Sequence, residues 1–217
     1  MKHLFKKVLF VLFLLISSIS FAQDTVKLLD GKEIIGDIVV EDKAVVGMHI
    51  PKPLRPKNLN FYYKYDMFSI AEEGKPERIV YKQNNLLGFP FTEDEMRRYV
   101  NGERFARKTF KSGKYFWMGF GINLTGSVLT TYRFRDNTPF GKPARFIPHI
   151  VMVGSTPTLL ELLKPEMHKP ETLDLVEDPY YYSGYSEIVL GKIRVSSGFG
   201  SLLGMTTGIA LHFRANP

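Results

Sequence analysis

The pattern of apolar and polar positions changes character twice along the chain. From Asp24 to Lys82 the apolar residues come in short runs bounded by turn signals. Asp24 to Val40 reads as two strands around Asp30-Gly31, a pair favoured in hairpins because glycine accepts the positive φ such turns require. Runs at Val45–Ile50, Asn60–Tyr65, Met67–Ile70 and Arg78–Lys82 predict four more strands. Pro51, Pro53 and Pro56 force an exposed loop, and Glu73-Gly74-Lys75 is a second tight turn. Strands of this length and spacing predict a small antiparallel barrel or sandwich over residues 23–82, about 60 residues and near the lower limit for independent folding.

The period then lengthens. Thr92 followed by Glu95 is a capping box: the hydroxyl accepts from the third helical amide and the carboxylate reaches back to the cap. Met96, Tyr99, Val100, Ala106 and Phe110 follow at helical spacing, so the 83–114 connector carries an amphipathic helix over about 93–110, which Gly102 weakens.

From 115 to 217 three charge-poor stretches dominate. Tyr115–Tyr132 has no ionisable side chain other than Tyr, Phe146–Leu163 carries only His149 and Glu161, and Val195–Phe213 carries only His212. Their length just meets what a helix needs to cross about 30 Å of hydrocarbon, so three membrane spans are expected at 115–132, 146–163 and 195–213. Gly200, Gly204 and Gly208 recur every four positions and would form a flat ridge on a helix, the small-residue pattern of close helix contacts. Residues 116–134 and 193–213 also alternate with period two, as an outer-membrane β hairpin does. A few strands cannot close a barrel in lipid, and the glycine row has a use only on a helix, so helices are preferred. The predicted fold class is therefore α+β: a β module, a basic helix, then glycine-rich membrane helices. The 133–145 loop is net positive and the 164–194 loop net acidic, which orients three spans with the N-terminal module outside.

Charge and composition sharpen this. Lys2, Lys6 and Lys7, an apolar run from Val8 to Ile16, and Ser20-Phe21-Ala22 predict a cleaved secretory signal over 1–22. The absence of Cys excludes disulfides, thiolate metal sites and a Cys nucleophile. The excess of 29 basic over 22 acidic residues, partly in the leader, is too small to argue for nucleic acid. Arg97, Arg98, Arg104, Arg107 and Lys108 make the connecting helix strongly basic. That suits contact with anionic lipid headgroups beside a membrane segment, or simply a solvated face.

The search for chemistry returns little. His3, His49, His149, His168 and His212 are scattered, with no metal-binding pair. Gly119-x-Gly121 and Gly198-x-Gly200 lack the further glycine of a nucleotide loop, and Gly-x-Ser-x-Gly is absent. No catalytic, cofactor-binding or metal-ligating residue is expected, and no cofactor. Glu161 and His149, ionisable groups inside an apolar stretch, are the candidates for an intramembrane functional role.

Asp24-Thr25-Val26, Asp30-Gly31, Ile35-Gly36-Asp37-Ile38 and Ile79-Val80-Tyr81 together resemble the N-terminal β domain of uncharacterised exported proteins common in Bacteroidota. Gly102 to Lys108 is similar to their pre-membrane helix, and Tyr180 to Tyr185 to the entry into their glycine-rich helix. Lys192 and Arg194 are fewer basic residues than that helix carries. The resemblance implies an organisation and no activity. The expectation is a non-enzymatic, membrane-anchored envelope protein, held in the inner membrane and presenting a periplasmic β module. Its partners would be membrane lipid, a second copy through the glycine ridge, or an envelope protein. The alternatives are an outer-membrane β protein, and a transporter or enzyme built from separated residues.

Overall fold

The computed structural model describes residues 23–51, 58–133, 147–162, 175 and 177–215. The predicted leader at 1–22 lies outside the described residues, as do Pro53, Pro56, His168, most of the 133–145 loop and the first part of the 164–194 loop. The chain divides into two compact units, one ending at Pro90 and one starting at Phe91.

The first unit is a six-stranded antiparallel sheet. Its strands are β1 (Asp24–Leu28), β2 (Glu33–Glu41), β3 (Val45–His49), β4 (Leu59–Tyr63), β5 (Met67–Ala71) and β6 (Arg78–Ile79), in the order β4-β3-β2-β1-β5-β6. Gly31, at φ 72°, makes the β1–β2 turn. The Asp24 carboxylate accepts from the Ile38 amide at 2.8 Å and from the Glu73 amide at 2.9 Å, tying the start of β1 to β2 and to the turn before β6. Val26, Val46, Met48, Met67 and Ile70 are wholly buried and gather Leu28, Ile34, Ile38, Tyr62 and Val80 around them. Each such side chain contributes about 1.5–3 kcal/mol by leaving water. Phe68, Tyr81 and Phe89 form a run of ring contacts beside β5.

The expected closure into a barrel or sandwich is not found: the sheet is open, with β4 and β6 as its edges. The reason is local. Both the Val80 and the Tyr81 amides donate to Phe68 O, so the chain turns back on β5 and β6 stops after two residues. The sheet nonetheless curls, which brings Lys64, just after β4, and Arg78, in β6, both within reach of the carboxylate of Glu41 at the end of β2.

Among the described residues the second unit contains four helices: α1 (Glu93–Thr109), α2 (Gly113–Arg133), α3 (Ile147–Glu161) and α4 (Pro179–Ala215). The capping box at α1 is complete, the Thr92 amide donating to Glu95 at 2.8 Å while the Glu95 amide donates to the Thr92 hydroxyl. Asp178 caps α4 by accepting from the amides of Tyr180 and Tyr181. α4 is 37 residues long and packs against each of the other three helices.

These helices correct the transmembrane expectation. None of them is long and apolar enough, among the described residues, to cross a membrane. The stretches at 115–132, 146–163 and 195–213 were marked by their lack of charge, and lack of charge is not apolarity. α3, at 15 residues, reaches only about 22 Å, short of the hydrocarbon thickness. α2 and the second half of α4 are long enough, but Gly, Ser, Thr and Asn hold many of their positions. The period-two alternations at 116–133 and 193–213 lie within helices, not strands.

Candidate functional site

Along α4, one stripe of residues four apart is buried throughout: Tyr181, Tyr185, Val189, Ile193, Ser197 and Ser201. Its chemistry changes midway. The first half belongs to an ordinary apolar core with Ala106, Phe110, Tyr115 and Leu160. There α1 and α4 cross closely enough that a β-carbon on Gly102 would stand 2.1 Å from Tyr181 O, and one on Gly184 2.1 Å from Tyr99 O.

The second half buries small and polar residues instead. β-carbons on Gly200 and Gly204 would stand 2.0 Å from Phe116 O and 2.2 Å from Phe120 O, and one on Gly119 would stand 2.4 Å from Ser197 O. Gly208 faces Ser127, 2.6 Å from its β-carbon by the same measure. The ridge predicted for contact between copies or partners is therefore occupied by α2 of the same chain. Beside it, the Asn123 amide donates to Thr156 Oγ1 at 2.9 Å and to Gly119 O, and Ser127 Oγ meets His149 Nδ1 at 3.3 Å. Ser197 donates to Ile193 O at 2.7 Å.

The large apolar side chains of these helices point the other way. Trp117 is 65 % exposed and Phe199 66 %, whereas Ser197 and Ser201 are 0 % and Asn123 1 %. Ile122 and Leu129 of α2, Ile150, Val151 and Leu159 of α3, and Val195, Leu202 and Leu203 of α4 are exposed as well. Over this part of the unit the usual arrangement of a water-soluble bundle is inverted.

At the junction of α1 with α2 and α4 lies a groove of about 990 Å³, charged at Arg107, Glu187 and Lys192 and apolar at Phe116, Val195 and Phe199. Lys192 donates to Ala106 O, Arg107 O and Phe110 O, each at 3.0 Å, so its ammonium caps the C-terminus of α1. Burial, then the neighbouring Arg107, draw its pKa below the usual lysine value. No sequence signal marks this contact, because its two sides are more than eighty positions apart.

The residues expected to meet headgroups occupy different settings. Arg98 pairs with Asp178 at 2.9 Å and lies over the Tyr180 ring. Arg97 and Arg104 are half-buried, Arg107 lines the groove, and Lys108 is exposed in the last turn of α1. His149 and Glu161 do not form one site: twelve residues of α3 separate them by about 18 Å. Glu161 is held by Arg194 through a two-point pair at 2.7 and 3.1 Å. Among the described residues no group of three or more His, Asp or Glu could hold a metal ion.

Burial pushes the His149 imidazole below its usual pKa of 6.5, so the folded state keeps it neutral. A depressed folded-state pKa gives stability that is present above the unfolded value and lost as pH falls. Thermal melts should therefore show the helical unit weakening as pH falls below 6.5. His149→Gln should flatten that part of the profile. An unchanged slope in the variant would assign the acid sensitivity elsewhere.

Compared with models of known protein families, curated proteins and solved structures, the chain matches none.

Proposed function

We propose that this chain is an exported, non-enzymatic envelope protein that rests on lipid through the outer faces of its helical unit and offers its sheet unit as a binding module. The observation that carries the reading is the inverted distribution over α2, α3 and the second half of α4. Exposed Trp, Phe, Leu, Ile and Val surround a seam of Gly, Ser, Asn and Thr. In water that arrangement leaves a large apolar surface uncovered, which marks an interaction surface. Charge argues for lipid as the cover: Lys108, Lys111 and Lys114 are exposed at the α1–α2 junction, directly before Trp117. Basic residues beside an exposed indole suit the headgroup boundary of an anionic bilayer. Contact of this kind reaches interfacial depth without crossing the bilayer.

The polar side chains of the seam bond to helix carbonyls and to one another, which suits packing better than turnover. We also place the chain beside the exported Bacteroidota proteins that its Asp24–Tyr81 motifs resemble.

The test uses the single tryptophan. Mixed with phosphatidylcholine–phosphatidylglycerol vesicles, the protein should float with them on a density gradient, and Trp117 emission should shift to the blue and be quenched by brominated acyl chains. A protein that stays at the bottom with unshifted emission defeats the lipid reading and leaves a protein partner as the cover.

A further inference from the structure

The open sheet has a cleft of about 590 Å³ where its curled ends approach. Lys43 from the β2–β3 turn, Lys64 and Tyr65 from the segment after β4, Arg78 from β6, and Lys82 just beyond line it. These cations come from three separate segments. Two carboxylates answer them: Oε1 of Glu41 accepts from Lys64 Nζ at 2.6 Å and from Arg78 Nη2 at 2.7 Å, and Glu72 Oε1 lies 4.0 Å from the same Arg78 nitrogen. The two cations, Lys64 first, hold the Glu41 carboxyl below its usual range, so it is ionised at neutral pH.

Among the described residues neither Lys43 nor Lys82 has a carboxylate partner. Four like charges around one cavity repel each other, and Glu41, with Glu72 near Arg78 alone, offsets only part of that. Arg78 contacts Glu41 through Nη2, while a guanidinium carries five N–H donors in a fork that matches an oxyanion. Tyr65, exposed at the rim, adds a ring face and a hydroxyl.

We infer that this cleft is a binding site for a phosphate-bearing anion, gripped by Lys43, Lys64, Arg78 and Lys82 and in competition with Glu41. An excess of at least two positive charges matches a phosphomonoester or pyrophosphate, whereas a lone carboxylate would neutralise only one of them. The volume exceeds what the phosphate needs, so the group it is attached to lies along Tyr65. The inference rests on reading the sheet unit as a binding module and is independent of the lipid contact assigned to the helices.

The test is titration calorimetry of the full chain with pyrophosphate at low ionic strength. Binding should weaken about tenfold or more in K43E/K82E, whose altered side chains are exposed and make no recorded contact. The same charge change at K108E/K111E, in the helical unit, should leave it unaltered. Glu41→Gln should tighten binding, because it removes the internal competitor; a merely structural Glu41 would give the opposite sign. Absent binding, or equal losses in the two double variants, overturns the site. Vesicles containing phosphatidic acid separate the sources. Displacement of vesicle-bound protein by pyrophosphate assigns the phosphate to a lipid headgroup, whereas pyrophosphate binding without extra retention on those vesicles assigns a free one. Retention on pure phosphatidylcholine reads the helical unit alone and should be the same in K43E/K82E and wild type.

Discussion

Gly200→Ala should cost the helical unit about 3 kcal/mol, and Gly191→Ala, in the same helix, should cost nothing or stabilise by up to about 1 kcal/mol. Both changes add one methyl group to α4. At Gly200 that group would stand 2.0 Å from Phe116 O and 2.9 Å from Phe116 C, backbone atoms that cannot swing aside, so α2 and α4 must separate. At Gly191 nothing lies within 4 Å, and the change only removes backbone freedom from the unfolded chain. Urea melts followed by Trp117 fluorescence and by circular dichroism decide it. Equal midpoints for the two variants would refute the close approach of α2 and α4.

The second large effect belongs to Lys192→Met, expected to lower stability by about 2–3 kcal/mol. Methionine keeps the apolar stem and removes the ammonium. Arg107 O and Phe110 O then lose this donor, Ala106 O is left with the Phe110 amide alone, and the negative end of that helix loses its countercharge. Lys192→Arg should rescue only part of the loss, because a planar fork cannot direct three hydrogens at acceptors that surround a point. If the methionine variant melts with the wild type, the three bonds carry no net weight.

The strands, the basic helix and the helical segments were legible because local chemistry decides them. Asp30-Gly31 sets a turn, Thr92 and Glu95 set a helix start, and each apolar run reports its own period. What escaped was pairing at a distance. The barrel stays open because the Val80 and Tyr81 amides return to Phe68, a choice that no alternation records. Gly102 reads as a weak point of α1, yet it is where α1 touches α4. The Gly200 row announced a close contact without saying that α2 supplies the other side. Lys43, Lys64, Arg78 and Lys82 are unremarkable along the chain and meet only through the order of the strands. The membrane spans failed for a different reason: a stretch without charges was counted as apolar although glycine and hydroxyl side chains occupy much of it.

α4 follows the other three helices in the chain and yet is the surface on which all of them close. This fixes the order of events during synthesis. α1 emerges without the lysine that caps it, α2 without the glycines that let it dock, and α3 without the arginine that pairs with Glu161. Their contacts span more than thirty and up to more than eighty positions, so loop closure must be completed before any of them is rewarded. A ribosome that stalls before Pro179 leaves three helices with exposed apolar faces and no common partner. The unit is thus a late and all-at-once folder, and until its final segment arrives the nascent chain is a client for whatever holds unfolded proteins.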